Sequence, residues 1–308
     1  MAGEFKPTEA ATSVFTFIKT FPAFTARFVL FSISAMVPWI IYIVFVFSKI
    51  IEHVGTDGEK WNGIEPFMAM LTQIGAVPIL LATLVLTYAL FVSTQAMAMR
   101  KAVLNQEIGF FGLSWGGFET RLLIVHLAVS FVPILMILPL FSALPYFSEL
   151  DTGRAIGPGI MLVGLTFLLL FFVFIPLSIY AVGRWGLYGI CALTNGNFGI
   201  KAAAELSKGR FWPLFGTFAL TYLIWMVISG IFQNLGSALL GLSSFTMTDP
   251  KDFAEFMAIF TPELIGKFVV YLLVLMVIGT LTYLAYICTG AFAYLKIRQS
   301  HTQTTGVN

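Results

Sequence analysis

Charge is what this chain has least of. Only 10% of its 308 residues are Asp, Glu, Lys or Arg, whereas 58% are hydrophobic, and the mean hydropathy is +0.92. A water-soluble domain carries charge on roughly a quarter of its positions. So little polar surface cannot clothe a globule in water, and lipid must be the solvent for much of it. Cysteine is nearly absent as well. Cys191 and Cys288 stand far apart, which argues against a disulfide framework. The three histidines, His53, His126 and His301, are too scattered for a histidine-rich metal site. A lone His126 reads as a hydrogen-bonded structural residue. No outer loop offers a Ser/His/Asp set or a G-x-S-x-G elbow, and the glycine-rich stretch from Gly109 to Gly117 lacks the Lys-Ser/Thr pair of a phosphate loop. The expectation is no catalytic residue, no metal, no cofactor and no nucleic-acid partner.

What the chain does have is long runs free of charge: Phe28–Ser48, Pro66–Met99, Leu122–Ser148, Ala155–Gly183, Phe211–Thr248 and Phe268–Leu295. Each exceeds the roughly 20 residues that cross about 30 Å of hydrocarbon. A spanning helix satisfies its own backbone. The runs therefore predict an all-α, polytopic membrane protein with six transmembrane helices and amphipathic interfacial helices. The crossings fall at about 28–48, 79–97, 122–142, 159–180, 213–232 and 268–290. Residues 1–27 make a cytoplasmic N-terminus with an interfacial helix over Ser13–Phe24. Residues 28–296 form a single transmembrane domain, and 297–308 a cytoplasmic tail. Gly75–Pro78 separates a short interfacial piece from the second crossing, and residues 233–242 lie along the outer surface after the fifth. No short apolar core with a small-residue cleavage site opens the chain, so the first helix is expected to stay. Pro38, Pro78, Pro133 and Pro176 fall inside helices one to four, where each can free a carbonyl and kink its helix.

Orientation follows from the basic residues. With the N-terminus inside, 12 of the 17 Lys and Arg lie on the inner side, and 10 of the 15 acids lie outside. The positive-inside rule then gives N-in, C-in. The spans hold no Asp, Glu, Lys or Arg, the usual marks of an ion path. Their small polar residues, among them Thr83, Thr87 and Gln95, suit interhelical hydrogen bonds.

The chain is organised around Arg184–Gly216, a polar, basic segment between two apolar runs. Asn195-Gly196-Asn197 offers a turn and a helix N-cap, and Phe198–Lys208 can wind about three turns with Lys201, Glu205 and Lys208 on one face. Gly209 suits the helix end, and Arg210, Phe211 and Trp212 follow as a cation with an interfacial aromatic pair. The two inner segments share an outline: a helix ends at a basic residue, a short amphipathic piece follows, and Arg121 or Arg210 opens the return helix. That outline suggests a parallel duplication of helices two–three and four–five. Arg100, Lys101, Arg121, Arg184, Lys201, Lys208 and Arg210 are the candidate contacts to lipid headgroups, with Trp115, Trp185 and Trp212 as interfacial anchors.

Three stretches, Arg100–Leu104 (RKAVL), Gly112–Val125 (GLSWGGFETRLLIV) and Glu205–Gly216 (ELSKGRFWPLFG), carry a family resemblance. The pattern resembles a largely uncharacterised group of six-helix bacterial inner-membrane proteins, related to the membrane domain of some glycerophosphodiester phosphodiesterases. It covers most of the chain, from Ser13 to Arg298, and Gly209-Arg210-Phe211-Trp212 is its most specific part. The first inner segment departs from the pattern at Phe111–Trp115, and the phosphodiesterase domain is missing. The resemblance implies a fold and the bacterial inner membrane, without a reaction. The expectation is a non-enzymatic structural, assembly or envelope-maintenance component that contacts phospholipid, and a membrane-protein partner or homo-oligomer fits that role. The alternative is a carrier or lipid-handling permease for a neutral or amphiphilic molecule.

Overall fold

Proline and glycine decide where the helices of this protein start and stop. The computed structural model describes residues 6–57, 75–109, 113–128, 168, 172, 175–239 and 262–305, and its regular structure is helical, with no strand among the described residues. Helices α1 (Pro7–Ala11) and α3 (Pro22–Ser34) each open on a proline, whose missing N–H costs nothing at the first helical position. Between them lies α2 (Ser13–Thr20), so the expected interfacial helix ends at Thr20 rather than Phe24. In α4 (Val37–Asp57) Pro38 is the second residue. A proline ring collides with the carbonyl four residues back, which here belongs to Ser34, the last residue of α3. The first long apolar stretch is therefore interrupted by a turn at Ala35 and Met36. Pro78 likewise sits in the first turn of α5 (Ala76–Leu104), just after Gly75 at φ +67°. Pro176 lies in α6 (Ile175–Trp185), and the two residues before Ile175 are outside the described residues. Two of the four expected kinks, at Pro38 and Pro78, are helix starts, and the backbone that would decide Pro176 lies outside the described residues. Pro133 lies outside the described residues.

The remaining elements are a helical run over 117–128, then α7 (Tyr188–Asn195), α8 (Ile200–Leu206), α9 (Phe211–Leu239) and α10 (Pro262–Thr305). Helix α9 runs unbroken through 233–239, the described part of the stretch expected to lie separately along the surface. Helix α10 has 44 residues and extends through most of the expected tail. At about 1.5 Å per residue it is roughly 66 Å long, twice what hydrocarbon requires.

Four stretches among the described residues are long and apolar enough to cross a membrane: Pro22–Val46, Pro78–Leu104, Phe211–Ala238 and Gly266–Ser300. Their side chains show why water is the wrong solvent. Leu30, Ile41, Val44, Leu81, Val85 and Val227 are between 57% and 63% exposed. Uncovered apolar area on this scale marks contact with lipid or protein. The expected crossings at 122–142 and 159–180 fall largely outside the described residues.

The chain divides into two compact units. The first comprises Met1–Ser13, Met99–Leu220 and Ile287–Asn308. At its centre α7 meets the end of α10: Tyr294 donates to Thr194 Oγ1 at 3.0 Å, and Thr194 donates to the Ile190 carbonyl at 3.1 Å. Thr289 donates to the Ala10 carbonyl at 3.3 Å, tying the two ends of the chain together. The second unit comprises Val14–Ala98 and Thr221–Tyr286. It is packed by aromatic pairs: Phe15 stacks on Trp225 with centroids 6.3 Å apart, and Phe91 meets Tyr283 at 5.0 Å.

The turn from α7 to α8 depends on glycine in two different ways. Gly196 (φ +69°) ends α7 with open space around it, whereas Gly199 (φ +74°) is pressed against the backbone of Tyr188 and Ala192. Gly196→Ala should cost about 1–2 kcal/mol, the penalty of a left-handed side-chain-bearing residue. Gly199→Ala adds a collision with a carbonyl oxygen and should cost more. Thermal unfolding of the purified protein in detergent should rank them wild type, Gly196→Ala, Gly199→Ala. Equal midpoints for the two variants would refute the close approach.

Candidate functional site

The two segments that follow α5 and α6 are each held by an arginine near a helix end. In the first, Asn105 turns the chain at φ +51°, and the amides of Asn105 and Gln106 close on the carbonyls of Lys101 and Arg100. Asparagine is the side chain that best tolerates this backbone. Arg100 is 8% exposed and forms an ion pair with Glu119, which is fully buried. Its Nη1 also donates to Ser114 Oγ at 2.8 Å, and Ser114 donates to Glu119 Oε1 at 3.2 Å. The guanidinium lies 5.4 Å from the centre of the Phe118 ring. Lys101 pairs with Glu107 at 3.0 Å. Glu119 Oε2 and Arg121 Nε are buried without a hydrogen-bond partner among the described residues.

The second segment is built by turns. Asn197 Oδ1 accepts from the Gly199 amide at 2.8 Å, a short local bond that replaces a backbone turn. The N-cap of α8 is Gly199, not an asparagine, and the helix has 7 residues, two turns rather than three. Lys208 therefore falls in the turn beyond it. The Arg210 amide donates to the Ser207 carbonyl at 3.0 Å, with Gly209 at φ +71° between them. Arg184 Nη1 donates to Ser207 Oγ at 3.2 Å, and Ser207 in turn donates to the carbonyls of Ala204 and Arg184. Cys191 is fully buried in α7, and burial pushes its thiol up to about 12, far from a reactive thiolate.

These contacts sort the candidate headgroup residues. Arg100 and Lys101 are committed to carboxylates of the protein. Lys201 and Lys208 are exposed, and Arg121, Arg184 and Arg210 are half-buried. Trp115 is 51% and Trp212 71% exposed, in company with the exposed Phe198 and Ile200. The side chain of Trp185 lies outside the described residues. The sequence reading did not foresee Glu119, Ser114 or Ser207. Serine and glutamate in a polar loop give no signal until a distant arginine meets them.

Residues 112–116 (Gly-Leu-Ser-Trp-Gly) do spell G-x-S-x-G. That elbow belongs on a strand-to-helix turn with a histidine beside the serine. Here the described surroundings are helical, and Ser114 spans an arginine and a glutamate. His126 instead has Nδ1 2.9 Å from the Leu122 carbonyl and 3.0 Å from the Tyr188 hydroxyl. No group of three His, Cys, Asp or Glu is placed to hold a metal among the described residues.

The second unit contains a cleft of about 300 Å³ lined by Met36, Trp39, Leu84, Thr87, Tyr88 and Phe91. Among the described residues Thr87 Oγ1 is buried there without a partner, and so are both amide atoms of Gln95 two turns further along α5.

No protein-family model, characterised protein or solved structure matches the chain. The class that the fold defines is an all-helical protein whose long apolar helices suit a membrane.

Truncating one partner of a buried ion pair strands the other charge, at a cost of about 3–5 kcal/mol. Glu119→Ala should therefore lower the unfolding midpoint far more than Glu107→Ala, whose pair is more accessible. Replacing Arg100 and Glu119 together by Met and Leu should restore most of the loss. A Glu119→Ala midpoint within error of wild type would show that the pair contributes little.

Proposed function

We propose that this chain is a non-enzymatic inner-membrane protein with six crossings and both termini in the cytoplasm, serving a structural, assembly or envelope-maintenance role. Its cytoplasmic rim holds anionic phospholipid. The observation that carries the reading is the segment 198–212, where exposed Lys201 and Lys208 stand beside exposed Phe198, Ile200 and Trp212. Cations beside aromatic side chains suit the level of lipid headgroups, where each cation contributes about 1 kcal/mol toward an anionic surface. The topology is supported by the bond from Thr289 to Ala10, since residues before the first apolar helix and near the end of the last then lie together, as an even number of crossings requires. The resemblance to six-helix bacterial inner-membrane proteins points the same way. The cleft beside Thr87 favours a second reading, a carrier or lipid-handling permease for a neutral or amphiphilic molecule.

Both native cysteines are buried, so introduced ones report cleanly. Gly58→Cys and Gly153→Cys should react with a membrane-impermeant thiol reagent added outside sealed cells, and Thr302→Cys should not. Labelling of Thr302→Cys from outside would refute the orientation. Reconstituted in mixed bilayers, the chain should enrich phosphatidylglycerol over phosphatidylcholine, and Lys201→Glu with Lys208→Glu should reduce that enrichment roughly tenfold or more. A wild-type protein that retains the two lipids equally would remove the lipid reading.

A further inference from the structure

The segments after α5 and α6 end on one pattern and differ in one charge. Leu113-Ser114-Trp115-Gly116-Gly117-Phe118 and Leu206-Ser207-Lys208-Gly209-Arg210-Phe211 share Leu, Ser, Gly and Phe at matching places. Matching residues do matching work. Ser114 accepts from Arg100 Nη1 and Ser207 from Arg184 Nη1, at 2.8 and 3.2 Å. Each phenylalanine packs where the preceding helix ends. Phe118 lies by the Arg100 guanidinium, and Phe211 fills the space at Gly183, where a Cβ would come 2.5 Å from its ring.

The copies part five residues after the serine. The first has Glu119 there, and its carboxylate neutralises Arg100. The second has Trp212, 71% exposed. Arg184 has no ion pair among the described residues, and beyond its bond to Ser207 the other N–H groups of its five have no acceptor there. Lys201 and Lys208 add positive charge to the segment, opposed by a single acid, the exposed Glu205. A half-buried guanidinium that lacks a counter-charge needs one.

We propose that Arg184, oriented by Ser207, binds a phosphate group that takes in the second copy the place of the Glu119 carboxylate in the first. The planar guanidinium fork matches phosphate as it matches carboxylate. The proposal rests on the anionic-lipid reading and gives it a specific residue; the phosphate belongs either to a lipid headgroup or to a soluble ion.

The test uses the full chain in bilayers of phosphatidylcholine and phosphatidylglycerol, with retained lipid measured by native mass spectrometry. Arg184→Gln should lower phosphatidylglycerol retention about tenfold, and Arg184→Lys less. Trp212→Glu, which supplies a carboxylate five residues after Ser207, should match Arg184→Gln and fall well below Trp212→Gln, which loses the same aromatic ring without adding a charge. The Trp212 pair keeps the test alive if Arg184 variants do not fold. Displacement of the lipid by millimolar inorganic phosphate assigns the site to a soluble ion, and retention through that wash assigns it to a headgroup. Wild-type enrichment left unchanged by Arg184→Gln and Trp212→Glu overturns this site while sparing the basic rim. Absence of enrichment in wild type overturns both.

Discussion

Arg100 and Glu119 meet in the part of the molecule where an unpaired charge would be most costly. Arg100 ends a stretch of α5, 92–100, in which every residue is buried, and Glu119 is fully enclosed. Either charge buried there without the other would carry a large desolvation penalty. Pairing them fixes where the chain must return after α5, because the glutamate lies 19 residues further on and Ser114 has to bridge the gap. The path of 101–118 follows from that requirement. Asn105 reverses the backbone, Lys101 takes Glu107, and Phe118 comes to rest against the guanidinium. A hydrophobic substitute of similar volume could pack as well, so the pair's main effect is to specify one loop path.

The second segment reaches a comparable end by different means. It has no buried carboxylate, so its path is set by glycines at φ between +69° and +74° and by short local bonds, from Asn197 to Gly199 and from Ser207 to its neighbours. No acid of the described residues is paired with Arg184 there, and Lys201 and Lys208 stand exposed. One segment is closed electrostatically and the other is open. That difference, more than the number of positive charges in either, is why the second is the better candidate for meeting something outside the protein.

The second unit poses a different physical problem. Thr87 and Gln95 bury hydrogen-bonding atoms without partners among the described residues, in a setting otherwise made of aromatic and aliphatic side chains. Such atoms cost roughly 1–3 kcal/mol each when left unpaired. They mark α5 as the helix on which a neutral molecule would find a hydrogen bond. The aromatic cleft beside Thr87 is the space it would occupy.

The sequence by itself determined the solvent of this protein and the character of its helices. Charge-free runs of more than 20 residues and a mean hydropathy of +0.92 leave no other way to bury so much apolar surface. It also announced the importance of Arg184–Gly216, since basic and aromatic residues between apolar runs are visible without any contact. Helix boundaries were legible only in part. Pro38 and Pro78 could be read as kinks or as starts, and the choice turns on whether the backbone before each proline can afford to lose its hydrogen bond. Which cations are free was not legible at all. Arg100 and Arg184 look alike in the sequence, each near the end of an apolar helix. Only the tertiary structure brought Glu119 to one and Ser207 alone to the other, because a Coulombic partner is chosen by distance in space, and distance in space is what a linear pattern does not contain.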